Sequence, residues 1–204
     1  MGQIRLTPML AHSGRLMGDL TTMRLAEDRF LIAGSGYLQN WHMRWFRGHL
    51  SQPDVELRNA SDELGGISIF GPQSRTLLQR LIATSASNDA LPFMSVRETD
   101  VGLSPAILAR LSVTGELGYE IYVPVTHLHA LLAAILQAAN GLQAAFVGLY
   151  ALNSLRLEKG FGIWSREFSR DYTPIEAGLS KFLDYDRTDF IGREAALRDR
   201  GNSA

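Results

Sequence analysis

Residues 104–124 read SPAILARLSV, TGELG, YEIYVP, and this stretch constrains the fold more than any other. Two runs of apolar, β-forming residues bracket a tight turn that contains Gly115 and Gly118. Such a pattern predicts two strands of one antiparallel sheet. A second hairpin is predicted upstream: DLTTMRL (19–25), a polar turn at Ala26-Glu27-Asp28, then RFLIAG (29–34). ISIF (67–70) predicts one more short, buried strand.

Helices are predicted between these runs. YLQNWHMRWFRGHL (37–50) puts Leu38, Trp41, Trp45 and Leu50 at helical spacing. GPQSRTLLQRLI (71–82) opens a helix with Pro72 near its first turn, where a missing N–H costs nothing. THLHALLAAILQAAN (126–140) has Thr126 as N-cap and Gly141 just past its end. GLYALNSLRLEKG ends at Gly160, and IGREAALRDRG adds a helix at the end. Strands joined as hairpins or separated by single helices predict an α+β fold, with antiparallel sheets and helices packed on one face. No repeat or low-complexity stretch interrupts 1–204, which reads as one domain with SREFSRDY (165–172) as a loop.

Composition narrows the function classes. With 46% hydrophobic residues over 204 positions the chain can build a sizeable core. Twenty basic against twenty-one acidic residues leave no basic excess, so nucleic acid is not an expected partner. The lack of cysteine excludes disulfides, thiol nucleophiles and thiolate metal sites. None of the five histidines forms an HExxH pair, and no metal site is expected. MGQIRLTPML lacks the charged and apolar regions of a signal peptide, and the longest apolar run (128–139) is too short to span a bilayer. A cytoplasmic protein without a membrane segment is the expectation.

Three segments place charge inside apolar, glycine-rich surroundings: GRLMGDLTTM with Asp19, TGELGYEIYVP with Glu116 and Glu120, and LRLEKGFGIWSRE with Arg156 and Trp164. Burying a carboxylate in a strand is costly unless it is paired, so each segment is a candidate site. Plainer readings stand beside this one. Asp19 fits a turn residue, Glu120 a solvent-facing strand residue, and Arg156 and Glu158 ordinary helix-surface charges.

In order along the chain, TPML…GRLMGDLT…EDRFLIAGSG, IFGPQSRTLLQRL, TGELGYEIYVP, LNSLRLEKGFGIWSRE, TPIEAGL and DFIGREAAL resemble the signature segments of the glycine-cleavage T-protein (aminomethyltransferase) family. LIAGSG, ALNSLRLEKG and W-x-R-E are most similar to the folate domains of dimethylglycine and sarcosine dehydrogenases. T-protein itself has Ala-Arg-Asp where this chain has Ala151-Leu152-Asn153.

The resemblance implies tetrahydrofolate-dependent one-carbon (aminomethyl) transfer from a methylated amine such as dimethylglycine or sarcosine. It implies that Asp19 is the catalytic residue, an acidic side chain beside the accepting folate nitrogen that takes or stabilises a proton, and that Glu120 hydrogen-bonds the pterin. By the same match Arg156 lies near the folate pocket and Trp164 lines it, with Asp19, Glu120 and Arg156 converging on one cavity. The partners implied are folate and a small amine. The chain also resembles a segment that begins within the family's first domain and lacks its C-terminal β-barrel. That truncation leaves apolar surface to be covered by a homo-oligomer or a partner subunit. No flavin site is expected, because AGSGYLQN lacks GxGxxG spacing.

Three positions depart from the family pattern. Leu6 and Val113 stand where the family has tyrosines, and Gly18 replaces the first of T-protein's paired aspartates. Two hydroxyls and two ring faces are thereby missing from the expected pocket. The second reading, from a different class, is a non-catalytic folate-binding or scaffold module, or a gene remnant, acting with a partner chain.

Overall fold

The computed structural model describes residues 2–50, 52–164 and 166–202. Ser165, which opens the predicted 165–172 loop and fills the middle of W-x-R-E, lies outside the described residues. Among those described, the elements run β1 (Gln3–Leu10), β2 (Leu16–Arg24), β3 (Phe30–Ala33), α1 (Gln39–His49), β4 (Leu64–Phe70), α2 (Ser74–Gln79), β5 (Val96–Val101), β6 (Ser104–Ala109), β7 (Gly118–Pro124), α3 (Leu128–Ala138), α4 (Leu149–Glu158) and α5 (Arg193–Asn202). The strands form a three-stranded sheet, β1-β2-β3, and a four-stranded sheet, β4-β7-β6-β5. The α+β architecture with antiparallel strands is the expected one.

The backbone divides into two compact units. The first comprises residues up to Ile4, Met23–Phe30 and Arg58–Phe161; the second comprises Arg5–Thr22, Leu31–Leu57 and the residues from Gly162 on.

The first unit is built on the four-stranded sheet, all of whose pairs are antiparallel. Successive side chains of a strand point to opposite faces, and β7 shows why this sheet has two different sides. Tyr119, Ile121 and Val123 are fully buried, while Glu120 and Tyr122 between them are only partly so. The buried set joins Ile69, Leu108, Leu77 and Leu78 of α2, and Leu131 and Ile135 of α3 in one core. Both helices therefore cover the same face.

Two expectations are corrected here. The strand around ISIF begins earlier, at Leu64, and forms the sheet's outer edge, so Gly66 and Ser68 are exposed rather than buried. Helix α3 starts at Leu128, with His127 and not Thr126 as its N-cap and no side-chain hydrogen bond from it, because Val125–His127 forms a 3₁₀ turn. Strand β5 had no clear signal in the sequence, since VRETDV carries three charges between its buried ends.

The TGELG turn holds Gly115 at φ +68°, and a Cβ built there would lie 2.7 Å from Cγ of Lys159. Lys159 in turn pairs with Glu116 at 3.2 Å. Both partners are nearly half exposed, so this ion pair contributes little. The backbone conformation matters more. Gly115→Ala is expected to cost about 1–2 kcal/mol through left-handed strain, read as a melting temperature lower by roughly 2–8 °C. Lys159→Ala is expected to leave it within about 2 °C; a larger loss for Lys159→Ala than for Gly115→Ala would reverse this ranking.

In the second unit, Leu16, Gly18 and Leu20 of β2 are buried while Met17 and Asp19 alternate with them on the other side. Helix α1 has His42 as its one buried residue, while Trp41 and Trp45 of the expected stripe are half-buried. The imidazole fits because two glycines lie against it: a Cβ on Gly18 would come within 3.0 Å of Nε2, and one on Gly34 within 3.4 Å of Nδ1. Trp41, Trp45 and His49 instead stack in succession along the helix, with centroids 6.3 and 4.1 Å apart. A second cluster gathers Leu10, Leu16, Phe168, Leu179 and Ala196, with Leu6 and Trp164 against it.

Candidate functional site

Glu120 sits mid-strand in β7, opposite Ser68 of β4 and Ala109 of β6. Its side chain lies on the sheet face away from α2 and α3, where burial pushes the carboxyl up from its ordinary value. The Tyr122 hydroxyl, two residues on and so on the same face, donates to Oε2 and opposes part of that rise. Tyr122 is itself pushed up, first by burial and then by the neighbouring carboxylate. One carboxylate oxygen is thus held by the protein, and Oε1 has no hydrogen-bond partner among the described residues. A group of this kind can accept from a ligand that brings donors of its own. Sequence reasoning missed Tyr122 as the partner, although the two-residue strand period carried the signal.

Arg156 is 2% exposed, which removes the reading of it as a helix-surface charge. Its Nε and Nη2 both donate to Oδ1 of Asn153, one turn earlier on α4, and Nη1 donates to the Phe161 carbonyl at 2.8 Å. The helix end below it is closed by two main-chain bonds, Phe161 N–H to Arg156 O and Gly160 N–H to Leu157 O, with Gly160 at φ +68°. That is a Schellman stop, which needs glycine at the left-handed position. Arg156 therefore fastens the segment leaving α4 from above and below. Asn153 was not singled out from sequence; the i, i+3 spacing on a helix was its signal.

Asp19 lies in β2 of the second unit, partly buried, and desolvation pushes its carboxyl up to about 6. A hydrogen bond from its own main-chain amide offsets some of that rise. A carboxyl at this value exchanges protons readily near neutral pH. On the strand's other side Gly18 touches His42, whose Nε2 is buried with no hydrogen-bond partner among the described residues and whose titration is lowered by burial.

Trp164 also belongs to the second unit, where its half-buried ring packs against the cluster around Leu10 and Leu16. Leu6 joins the same cluster, and Val113, in the first unit, is 36% exposed. Asp19 and Trp164 thus fall in one unit, Glu120 and Arg156 in the other. Among the described residues no group of three or more His, Asp or Glu side chains could hold a metal ion, and no helix is long and apolar enough to cross a membrane.

Comparison with known proteins places these residues in context. The chain is 37% identical over 199 residues to human mitochondrial dimethylglycine dehydrogenase, covering 96% of this chain and 23% of that protein. It is 29% identical over 198 residues to the aminomethyltransferase of Caldanaerobacter subterraneus, covering 97% of this chain and 53% of that one. In three dimensions it matches the crystal structure of the glycine cleavage system aminomethyltransferase T from Bartonella henselae with a TM-score of 0.81, at 28% identity, over 99% of this chain and 54% of that one. The chain accordingly spans about half the length of these aminomethyltransferases and about a quarter of the dehydrogenase. The GCVT N-terminal domain model matches residues 1–187, and the chain belongs to that family.

Proposed function

We propose that this chain takes part in tetrahydrofolate-dependent one-carbon transfer from a methylated amine such as dimethylglycine or sarcosine. The observation that carries the reading is Glu120: a half-buried carboxylate, fixed at one oxygen by Tyr122, with its other oxygen unclaimed among the described residues. The amino-pyrimidine edge of a pterin is rich in donors, and a pre-positioned carboxylate answers it with charge-assisted hydrogen bonds.

Tetrahydrofolate supplies the two nitrogens that capture the carbon. Transfer from an iminium-type amine would leave the demethylated amine (secondary from dimethylglycine, primary from sarcosine) and 5,10-methylenetetrahydrofolate, and would release one proton. Asp19 is the group proposed to take that proton, because its carboxyl, raised to about 6, can hold it near neutral pH. Arg156 contributes by fixing the segment that follows α4, through its bonds to Asn153 and Phe161. Trp164 offers a ring face for stacking.

Isothermal titration with tetrahydrofolate tests this directly. Wild type is expected to bind saturably, and Glu120→Gln to bind about ten- to a hundredfold more weakly, or about 1–3 kcal/mol. The reason is local. A glutamine still accepts from Tyr122 through its carbonyl, and that turns its NH₂ toward the pterin's own donors. Equal binding by wild type and Glu120→Gln would remove Glu120 from the site. No binding by wild type would favour the scaffold reading, which the missing hydroxyls at Leu6 and Val113 support.

A further inference from the structure

The two edges of the four-stranded sheet are treated very differently. Strand β5 carries Arg97, Glu98 and Asp100, and its start is bonded to the N-terminal residues through Val96 N–H to Gly2 O and a Gln3–Ser95 bridge. Charge and cover of this sort are how sheets prevent edge-to-edge pairing. Strand β4, LGGISIF, has no charge, no proline and no strand beyond it among the described residues.

The register shows which of its main-chain groups are free. Val125 N–H donates to Glu63 O and Gly71 N–H to Leu117 O, so the odd-numbered residues of β4 bond toward β7. In an antiparallel ladder the alternate residues then direct N–H and C=O the other way. These are Leu64, Gly66, Ser68 and Phe70; the Leu64 N–H is already spent on Ala60 O. Gly66, Ser68 and Phe70 thus present an open row.

We propose that this row is a strand-pairing surface whose occupant is β4 of a second copy of this chain, joined antiparallel about a two-fold axis at Ser68. In this register Ser68 pairs with Ser68 of the partner subunit, and Gly66 with Phe70 of the partner subunit. Three pairs, each exchanging two bonds, give about six main-chain hydrogen bonds. The pattern is self-complementary in size, because each exposed glycine receives an aromatic ring from across the seam. The uncharged tract sets no like charges face to face across the seam.

Beside the edge, Gly66, Ile67, Leu128, His129, Leu132 and Phe146 line an open, apolar groove of about 310 Å³. Phe146 is 81% exposed there. A paired strand would shelter this surface, and pairing reinforced by apolar burial is what makes strand addition stable.

The chain has no cysteine, which makes the test clean. Directly opposed residues of a bonded antiparallel pair have Cα atoms about 5.5 Å apart, within disulfide reach. Ser68→Cys is therefore expected to convert almost completely to a covalent dimer under mild oxidation, whereas Asp89→Cys, in an exposed loop, is not. Analytical ultracentrifugation of wild type is expected to show a concentration-dependent dimer. Ser68→Pro removes only an outward-facing N–H and is expected to remain folded by circular dichroism but monomeric. A monomeric wild type at all concentrations overturns the proposal. So does a dimer in which Ser68→Cys cross-links no faster than Asp89→Cys, since the contact would then lie elsewhere. Should Ser68→Pro fail to fold, the cross-linking comparison still decides.

Discussion

Arg156→Ala is expected to melt about 6–12 °C below wild type at pH 7, the largest stability loss among single substitutions at the candidate site. The guanidinium is 2% exposed and bonds Asn153 Oδ1 and the Phe161 carbonyl. Hydrogen bonds to a charged group are worth roughly 1.5–3 kcal/mol each. Alanine removes both sets and leaves two part-buried acceptors without their donor. It also removes the buried stem, which packs like an apolar side chain. A loss of about 3 kcal/mol corresponds to roughly 6–12 °C for a chain of this size. Arg156→Lys restores the charge but not the fork that reaches both acceptors, so it should recover less than half of the loss. Differential scanning calorimetry of the three proteins reads this directly. A melt of Arg156→Ala within 2 °C of wild type would show that the clamp carries no stability.

Much of the fold was legible because the sequence obeys its own periodicities. The 104–124 hairpin, the 19–34 hairpin and the long helices follow from spacing and turn residues alone, and the structure has them. What escaped was governed by contacts distant in sequence. Strand β5 looks like loop because it carries Arg97, Glu98 and Asp100, the last two exposed, and only pairing with β6 makes it a strand. His42 looks like a polar interruption of a tryptophan stripe. It is buried because Gly18 and Gly34, lying 24 and 8 residues earlier in the chain, leave room for an imidazole. At the site, sequence pointed to Glu120 and Arg156 but not to the groups that hold them. Tyr122 and Asn153 are neighbours by strand and helix geometry, yet a tyrosine two residues away and an asparagine three away carry no label in a bare string. The same limit applies to the burial of Arg156, which depends on what the rest of the chain packs over α4.

Asp19→Asn is expected to make the protein more stable and the proposed chemistry slower, with the two effects separable by pH. Desolvation raises the Asp19 carboxyl from 3.8 to about 6. Its folded value lies above its unfolded one, so the folded state favours the protonated form. The stability contributed by that form is complete below about 3.8 and is lost as the pH rises through 6. Above pH 6 the wild-type protein therefore carries a buried, ionised carboxylate at a cost of about 1–3 kcal/mol. An asparagine of the same shape escapes this cost. Thermal melts from pH 3.5 to 8 should show the variant level with wild type at the acid end. The gap should open between pH 4 and 6 and stay near 2–12 °C above that. A constant offset across the range would mean that shape or hydrogen bonding, not ionisation, separates the two proteins. For the proposed function, folate affinity should hardly change, because Asp19→Asn keeps the volume and leaves Glu120 untouched. One-carbon transfer should fall by about 10²–10⁴, the range typical of losing a positioned proton acceptor. The assay would follow 5,10-methylenetetrahydrofolate formation with dimethylglycine oxidised in situ by a flavin-dependent oxidase. If a variant bound folate normally and transferred at the wild-type rate, Asp19 would not be the proton acceptor, even if the melts showed the expected pH dependence.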